Sequence, residues 1–351
     1  MLLSVVIPNY NYAEFLAAAI ESALGLDWSE REVIVVDDGS TDGSRAVIER
    51  YRGQVTALFQ EHAGQRAACN AGFARSRGDD VIFLDADDLL DRSLMRELEQ
   101  VWRPGVSKLQ VQMRIIDAAG QPTGALLPQY DVLPTPEQIR TWALTAGAYP
   151  TPPGSGNVYA RSFLERIFPL HGEDPASDSY CLAAAPFFGD VITVAKPLVC
   201  YRVHGRNAGA MSDLQASRFT RELVRAQWRF RYGQQLARSA GLVLEDSVFN
   251  KSLSMLPYRL ASLRLAPGQH PLCGDSLAAV ALDFVSAFFV EQGRGLRSRG
   301  ALLAWAALVA VAPRRLAERL VLWRFASSSR PATLRRALRL LHILRSAPAS
   351  A

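Results

Sequence analysis

The sequence predicts an α/β fold in which helices cover both faces of a mostly parallel sheet, followed by a helical C-terminal region. Two observations lead to this prediction. In the first hundred residues, short apolar runs rich in β-branched side chains alternate with segments of helical spacing. From about residue 213 onward, almost every apolar segment has helical spacing. Strands that alternate with helices are typical of parallel sheets, because each crossover helix returns the chain to the same end of the sheet.

The individual elements follow in order along the chain. The predicted strands are Leu3–Ile7, Val33–Val36, Val55–Phe59 and Val81–Leu84, and the predicted helices are Glu14–Leu24, Ser44–Tyr51, Arg66–Ser76 and Ser93–Val101. The Pro- and Gly-rich stretches Gln121–Pro136 and Thr151–Gly156 are predicted as loops, the first of them a loop or lid. A helix from Asp213 to about Ala240 is predicted to leave the first domain. We therefore expect one domain over residues 1–210 and a helical, arginine-rich region over residues 211–351.

Composition narrows the class of protein. The chain has 351 residues, of which 49% are apolar and 21% charged, as expected for a folded protein long enough to bury a full core. Its four cysteines are widely scattered and form no CxxC pair, which argues against a zinc site or a disulfide scaffold and fits a reducing cytosol. The N-terminal segment MLLSVVIPNYNY has no basic region and is interpreted as a first strand.

Positive charge is concentrated at the C-terminal end. Beyond Glu291 the only acidic residue is Glu318. The arginines of this region are Arg294, Arg297, Arg299, Arg314, Arg315, Arg319, Arg324, Arg330, Arg335, Arg336, Arg339 and Arg345. They alternate with Leu, Trp, Ala and Val, which favours peripheral contact with an anionic membrane over nucleic acid. The run Ala301–Ala312 is too short to span a bilayer, so it is either a buried helix or an interfacial one. An oligomerisation element is the alternative for this region, and the oligomeric state stays open.

Polar clusters follow three of the predicted strands. They are Asn9–Asn11, Asp37–Ser40 and Asp85–Asp88. Since the carboxyl ends of parallel strands lie at one edge of a sheet, these loops are expected to converge. The carboxylates of Asp85 and Asp87 can point to the same side and suit Mg²⁺ or Mn²⁺, which prefer oxygen ligands. The alternative is a solvated turn in which Asp91 caps the next helix.

The second cluster offers groups for a nucleotide base. A carboxylate at Asp38 could accept the N–H of a pyrimidine, and Tyr10 could place a flat surface beside it. The segments SVVIPNYNYAEFLAAAIESAL, EVIVVDDGSTDGS, GQRAACNAGFARSRGDDVIFLDADD and YRVHGRN together resemble the family-2 glycosyltransferases with the GT-A (Rossmann-like) fold. The likeness is specific over residues 3–91 and looser to about residue 209. It implies an inverting transfer of a sugar from a nucleotide diphosphate, a UDP-sugar being favoured, with a divalent cation.

The resemblance also implies roles for the donor-side residues. Pro8, Tyr10 and Asp38 match positions around the nucleoside, and Arg66 matches one that faces the nucleotide or its ribose. Asp85 and Asp87 match the DXD motif that meets the ribose and the metal.

On the acceptor side, the resemblance implies a carboxylate base near the start of a helix. Asp178 fits that position better than Asp174, with Glu173 behind both, because Asp178 lies at the expected spacing before the YRVH segment. Ser155, Gly156 and Asn157 fall where acceptors bind, and His204 is expected to ligate the metal or contact the diphosphate, with Arg202 balancing phosphate charge.

The expected acceptor is a hydroxyl of a glycan or lipid-linked molecule in cell-surface polysaccharide synthesis, and the expected location is the cytoplasm, with peripheral contact at the inner face of the membrane as a further hypothesis. Two other functions were weighed. One is a catalytically silent protein that binds nucleotide sugars; the other is a nucleotidyltransferase, which normally has a Gly-rich phosphate loop where Pro8–Asn11 stands here.

Overall fold

The computed structural model describes residues 1–130, 132–172, 177–205, 207, 216–290, 293, 295–325, 330, 331 and 333. Nine strands form one sheet in this part of the chain. They are β1 (Leu3–Asn9), β2 (Arg31–Asp37), β3 (Thr56–Phe59), β4 (Asp80–Phe83), β5 (Leu89–Leu90), β6 (Val106–Ile116), β7 (Pro122–Leu127), β8 (Asn157–Ala160) and β9 (Asp190–Arg202).

Helices connect and follow these strands. In the first two hundred residues they are α1 (Ala13–Leu24), α2 (Ser44–Glu49), α3 (Gln65–Arg75), α4 (Leu94–Glu99), α5 (Pro136–Ala146), α6 (Arg161–Leu164) and α7 (Ser177–Phe188). Further along they are α8 (Ala216–Ser239), α9 (Ser247–Asn250), α10 (Leu256–Leu265), α11 (Leu277–Phe289), α12 (Leu296–Val311) and α13 (Arg314–Phe325). Short 3₁₀ turns occur at Gly154–Gly156 and Pro267–Gln269.

The sheet has a parallel half and a mixed half. Its order is β3-β2-β1-β4-β8-β6-β9-β5, and the first four strands are all parallel. Strand β8 then runs antiparallel to both β4 and β6, whereas β6 and β9 are parallel over most of their length. The predicted fold class is confirmed, and the four neighbouring parallel strands are those whose alternation with helices was visible in the sequence.

One predicted loop is a strand. The stretch Gln121–Pro136 contains β7, which pairs antiparallel with residues 113–116 of β6 beyond the point where β8 ends. Pro122 and Gly124 lower the strand signal of this segment, but β7 pairs with β6 alone, and proline is tolerated where only one neighbour needs hydrogen bonds. The prediction of a loop over these six residues was therefore wrong.

The central strand β1 fixes the core of the sheet. All seven of its residues are buried, because β2 and β4 flank it on either side and helices cover both faces. Helix α3 packs very close to strands β1 and β2. A Cβ added at Gly72 would lie 2.3 Å from Cγ1 of Val6 and 3.2 Å from Cγ2 of Val36. Only glycine allows this approach, and the approach places the N-terminus of α3 beside the carboxyl ends of the strands.

The chain divides into two compact units. The first comprises residues 1–129, 133–140 and 151–203 and contains the sheet; the second comprises residues 130–132, 141–150 and 204–351. The predicted division at residue 210 stays a prediction.

The second unit is helical. Its core contains Phe219, Leu260, Phe284 and Val309 among other side chains of α8 and α10–α13. Arg259 is 1% exposed and pairs with Asp275 and Asp283 at 2.6 and 2.8 Å. Among the described residues, no helix combines the length and the apolar character that crossing a membrane requires.

Candidate active site

The carboxyl ends of β1 and β2 are tied together by polar side chains. Asn9, at the end of β1, lies opposite Asp37 in register, and its Nδ2 donates to Asp37 Oδ1 at 2.8 Å and to Ser40 Oγ at 3.1 Å. Pro8 precedes Asn9 and is buried. It lies beyond the residues of β1 that pair with β4, so the missing N–H of the proline removes no hydrogen bond between these two strands. The first two predicted clusters therefore converge at one edge of the sheet.

The carboxylate of Asp38 holds the loop of residues 60–64. It is 1% exposed, and it accepts hydrogen bonds from the backbone N–H groups of Ala63 at 2.9 Å and Gly64 at 2.8 Å, and from Gln60 Nε2 at 2.6 Å. Gly39 makes this possible: its φ is 73°, and a Cβ there would lie 2.8 Å from the backbone nitrogen of His62. Contact of Asp38 with a base stays a prediction; the structure shows its role in shaping the loop.

Tyr10 and His62 form an aromatic pair above this carboxylate. Their rings stack at a centroid distance of 3.9 Å with an interplanar angle of 19°, and His62 Nδ1 lies 2.8 Å from Asp38 Oδ2. Tyr10 is 40% exposed, so part of its ring stays open to a ligand. Sequence reasoning identified Tyr10 and Asp38 but missed His62, whose only signal was its position in the loop before the GQRAACNAG helix.

Three aspartates meet directly after β4. One carboxylate oxygen from each of Asp85, Asp87 and Asp88 lies within 4.8 Å of the others. The backbone is held from both sides, because the N–H of Asp85 donates to Ser155 Oγ at 3.0 Å and Arg202 Nε donates to the carbonyl of Asp87 at 2.9 Å. The N–H of Arg202 also donates to Asp88 Oδ1 at 2.9 Å.

Burial makes this cluster electrostatically costly without a cation. Desolvation, followed by the charges of Asp87 and Asp178, raises the pKa of Asp85 to about 8. Desolvation and the charges of Asp85 and Asp87 raise the pKa of Asp88 well above its usual value. Within the described part of the chain, its buried Oδ2 has no hydrogen-bond partner. A set of carboxylate oxygens at this spacing, one of them lacking a donor, fits a hard divalent cation such as Mg²⁺ or Mn²⁺.

Asp178 lies beside this cluster, in the first turn of α7. A Cβ added at Gly154 would lie 3.8 Å from Asp85 Oδ2 and 3.9 Å from Asp178 Oδ2, so this glycine leaves the space between the two carboxylates open. The position near a helix N-terminus favours a carboxylate. Asp174 and Glu173, the alternatives for the base, lie outside the described residues.

Arg66 reaches across to the segment that leads into α7. Its Nη1 donates to the Tyr180 hydroxyl at 3.1 Å and to the carbonyl of Gly172. The neighbouring Gln65 donates from Nε2 to Asp85 Oδ1 at 3.0 Å. Helix α3 therefore contributes two polar side chains around the acidic cluster, and nucleotide contact of Arg66 stays a prediction.

The residues predicted to bind the acceptor are interior residues. The side chains of Ser155 and Asn157 are fully buried, as is Gly156. Asn157 Nδ2 donates to the carbonyl of Pro153 at 2.7 Å, and its Oδ1 accepts from Lys108 Nζ at 3.0 Å. Their observed role is to hold the turn that carries Gly154 and supports Asp85, and acceptor contact stays a prediction.

Behind this turn lies a lysine that sequence reasoning missed. Lys108 is fully buried on β6, and its Nζ donates to Thr151 Oγ1 at 2.9 Å and Gln110 Oε1 at 3.0 Å, besides Asn157. Burial lowers its pKa well below the usual value, against the opposing charge of Asp178. A single lysine in a strand of mixed polar and apolar residues gave no sequence signal for this position.

The two residues of the YRVH segment have different surroundings. Arg202 is 5% exposed; besides the acidic loop, its Nη1 donates to the carbonyl of Ala118 at 3.1 Å, and its guanidinium lies over the ring of Phe15. It therefore supports the acidic loop, and its role in balancing phosphate charge stays a prediction. His204 begins the third stretch of the chain assigned to the second unit, and its N–H donates to Asn207 Oδ1. Its role as a metal ligand stays a prediction.

Comparison with known proteins agrees with this geometry. A sequence model of glycosyl transferase family 2 matches residues 4–168. An uncharacterized glycosyltransferase of Nostoc sp. is 36% identical over 232 residues, which are 62% of this chain and 70% of the relative. The glycosyltransferase GlyG of Streptococcus pneumoniae is 35% identical over 103 residues, 28% of this chain and 34% of the relative.

A solved structure shares the fold over nearly the whole chain. The crystal structure of residues 1–349 of Staphylococcus aureus TarS in complex with UDP-GlcNAc superposes with a TM-score of 0.54 at 16% identity, covering 96% of this chain and 92% of that one. The sheet, the acidic cluster and the 36% identity to the Nostoc glycosyltransferase agree with the family match. This chain therefore belongs to glycosyl transferase family 2 and is a glycosyltransferase of the GT-A fold.

Proposed function

We propose that the protein is an inverting glycosyltransferase that moves a sugar from a nucleotide diphosphate to a hydroxyl of a glycan or lipid-linked acceptor. The observation that carries this proposal is the meeting of two groups of carboxylates across Gly154. Asp85, Asp87 and Asp88 lie on one side, and Asp178 lies on the other. A single displacement needs such an arrangement, with the leaving group stabilised on one face and the base on the other.

The donor binds at the edge where β1 and β2 end. The base lies beside Tyr10 and His62, within reach of Asp38 and Pro8, and Arg66 faces the ribose or the phosphates. The exposed part of the Tyr10 ring and the polar loop of residues 60–64 support this placement. A UDP-sugar is favoured, in keeping with the UDP-GlcNAc held by the S. aureus structure of the same fold.

Asp87 and Asp85 would hold the divalent cation. When bound, Mg²⁺ or Mn²⁺ stabilises the negative charge that develops on the diphosphate. The protein's own contribution is to hold these carboxylates close together although they repel one another. Ser155 and Arg202 do this by fixing the loop backbone, so little reorganisation is needed when the donor enters.

Asp178 acts as the general base. Its carboxylate accepts the proton of the acceptor hydroxyl while the hydroxyl oxygen attacks the anomeric carbon from the face opposite the diphosphate. Ser155, Gly156 and Asn157 hold the turn that lines this space and thereby shape the acceptor side. Synthesis of cell-surface polysaccharide, at the inner face of the membrane, is the setting we infer.

A screen of UDP-, GDP- and dTDP-sugars for cation-dependent hydrolysis and transfer tests the proposal. Asp87→Asn should abolish both activities. Asp178→Asn should abolish transfer while nucleotide binding, measured by calorimetry with Mn²⁺, persists. Asp117→Asn is the matched control, because Asp117 is an exposed residue whose carboxylate accepts a hydrogen bond from the N–H of Gln121. Nucleotide binding without turnover in the unmodified protein would favour the silent binding protein instead.

A further inference from the structure

The second unit exposes an unusual amount of apolar surface on two helices. On α11, Leu282, Val285 and Phe289 are 68%, 47% and 77% exposed, and on α12, Leu308 and Val311 are 56% and 82% exposed. We call these five side chains the apolar helical surface. The spacing of three and four residues places each set on one face of its helix.

These faces lie opposite the faces that form the core. Val280 and Phe284 of α11 pack in the same core cluster as Leu302, Ala306 and Val309 of α12. A helix at the surface of a folded protein normally presents polar residues on its outer side. Helices that are apolar on their exposed side as well as on their core side mark a surface that contacts something else.

Exposed arginines border this surface. Val311 is followed, after Pro313, by Arg314 and Arg315 at the start of α13, and both arginines are exposed. Residues 295–325 contain six arginines and one glutamate, Glu318, which is paired with Arg314 at 3.1 Å. The surroundings of the apolar helical surface therefore carry net positive charge.

We propose that the apolar helical surface binds the anionic leaflet of a membrane. The apolar side chains would enter the boundary between headgroups and acyl chains, and the bordering arginines would meet anionic headgroups. A second copy of the chain is a poorer occupant, since a symmetric interface would bring the same arginines face to face. This inference concerns a surface of the second unit and does not depend on the proposed chemistry.

Vesicle co-sedimentation of the full chain tests the surface. Vesicles of phosphatidylcholine with about a third phosphatidylglycerol should bind the protein, and pure phosphatidylcholine should bind it much more weakly. The triple substitution Leu282→Asn, Phe289→Asn and Val311→Asn should weaken binding to the anionic vesicles by about tenfold or more, since affinity scales with buried apolar area. Val243→Asn is the matched control: this side chain is 72% exposed but lies outside the surface, and its loss should change nothing.

A charge variant and a fold check complete the design. Arg314→Gln combined with Arg315→Gln should reduce binding at low salt and flatten its salt dependence. All variants should keep the wild-type thermal unfolding profile; if the triple variant does not, Val311→Asn alone should still weaken binding by about threefold.

Two outcomes would overturn the proposal. One is equal binding of wild-type and triple variant to anionic vesicles. The other is a wild-type dimer in solution that the triple variant dissociates without any vesicle binding by either, which would assign the surface to a second copy.

Discussion

The buried carboxyl group of Asp80 should make the stability of the sheet depend on pH. Asp80 begins β4 and is 1% exposed, and neither of its carboxylate oxygens has a hydrogen-bond partner among the described residues. Desolvation, reinforced by the charge of Asp79, raises its pKa from 3.8 to about 7. The perturbation that tests this is Asp80→Asn, which removes the charge and keeps the size of the side chain.

The sign and size of the effect follow from linkage. Because the folded carboxyl group binds its proton more tightly than the unfolded one, it destabilises the fold increasingly as the pH rises from 3.8 to about 7, and then by a constant amount. A difference of about 3.2 pH units at 1.36 kcal/mol each corresponds to about 4 kcal/mol at most. Between about pH 5 and pH 8 the change is about 3 kcal/mol.

Two measurements at these pH values test the effect. Urea denaturation gives the free energy of unfolding, and hydrogen exchange in peptides from β1 and β4 reports the local stability of the sheet. The free energy of unfolding of Asp80→Asn relative to wild type should rise by about 3 kcal/mol from the lower to the higher pH. Taking the difference between two otherwise identical proteins removes the titration of Asp85 and Asp88. An offset for Asp80→Asn that is the same at both pH values would refute the reasoning.

Three further predictions concern single side chains. Gly72→Ala should lower the free energy of unfolding, measured by thermal melts, by about 1–3 kcal/mol, because its Cβ would overlap a valine of β1. The control Gly300→Ala, at a position in α12 where no atom lies near the added Cβ, should be neutral or stabilising by up to about 1 kcal/mol. His62→Ala should weaken UDP binding about fivefold in calorimetry, with His62→Phe restoring most of it, if the stacked pair faces the base; equal affinity for all three proteins would exclude that placement. Arg259→Met should cost about 1–3 kcal/mol in the unfolding of the second unit, since the partly buried carboxylates of Asp275 and Asp283 lose the guanidinium that they share, whereas Arg314→Gln, in an exposed pair, should cost less than about 1 kcal/mol.

The first half of the fold could be predicted closely because its signals are local. The predicted strand at Val33–Val36 lies within the observed β2, and the predicted helix Glu14–Leu24 differs from α1 by one residue. Strands β1, β2 and β4 are buried on both faces over most of their length, so their apolar runs are nearly continuous. Strand β7 was missed because it pairs with one neighbour only and contains Pro122 and Gly124, so local composition pointed to a loop.

The site was predictable to the level of which loops meet, and not to the level of what each side chain does. The convergence of strand ends follows from the parallel topology, and it brings Asn9 and Asp37 together as expected. Whether a carboxylate faces a ligand or the protein depends on donors far away in the sequence. Asp38 takes its hydrogen bonds from residues 60–64, and no periodicity in the sequence reports such contacts.

The acidic loop shows why the site extends past the segment that carries the family signature. The family match ends at residue 168, yet two of the groups that complete the arrangement, Asp178 and Arg202, come from α7 and β9. Three carboxylates within 4.8 Å repel one another, so the loop needs fixed donors from outside it to keep this geometry before a cation binds. Arg202 supplies two of them, to the carbonyl of Asp87 and the carboxylate of Asp88. Because β9 is the neighbour of both β5 and β6, the mixed half of the sheet is what positions this arginine, and it thereby preorganises the site that the parallel half displays.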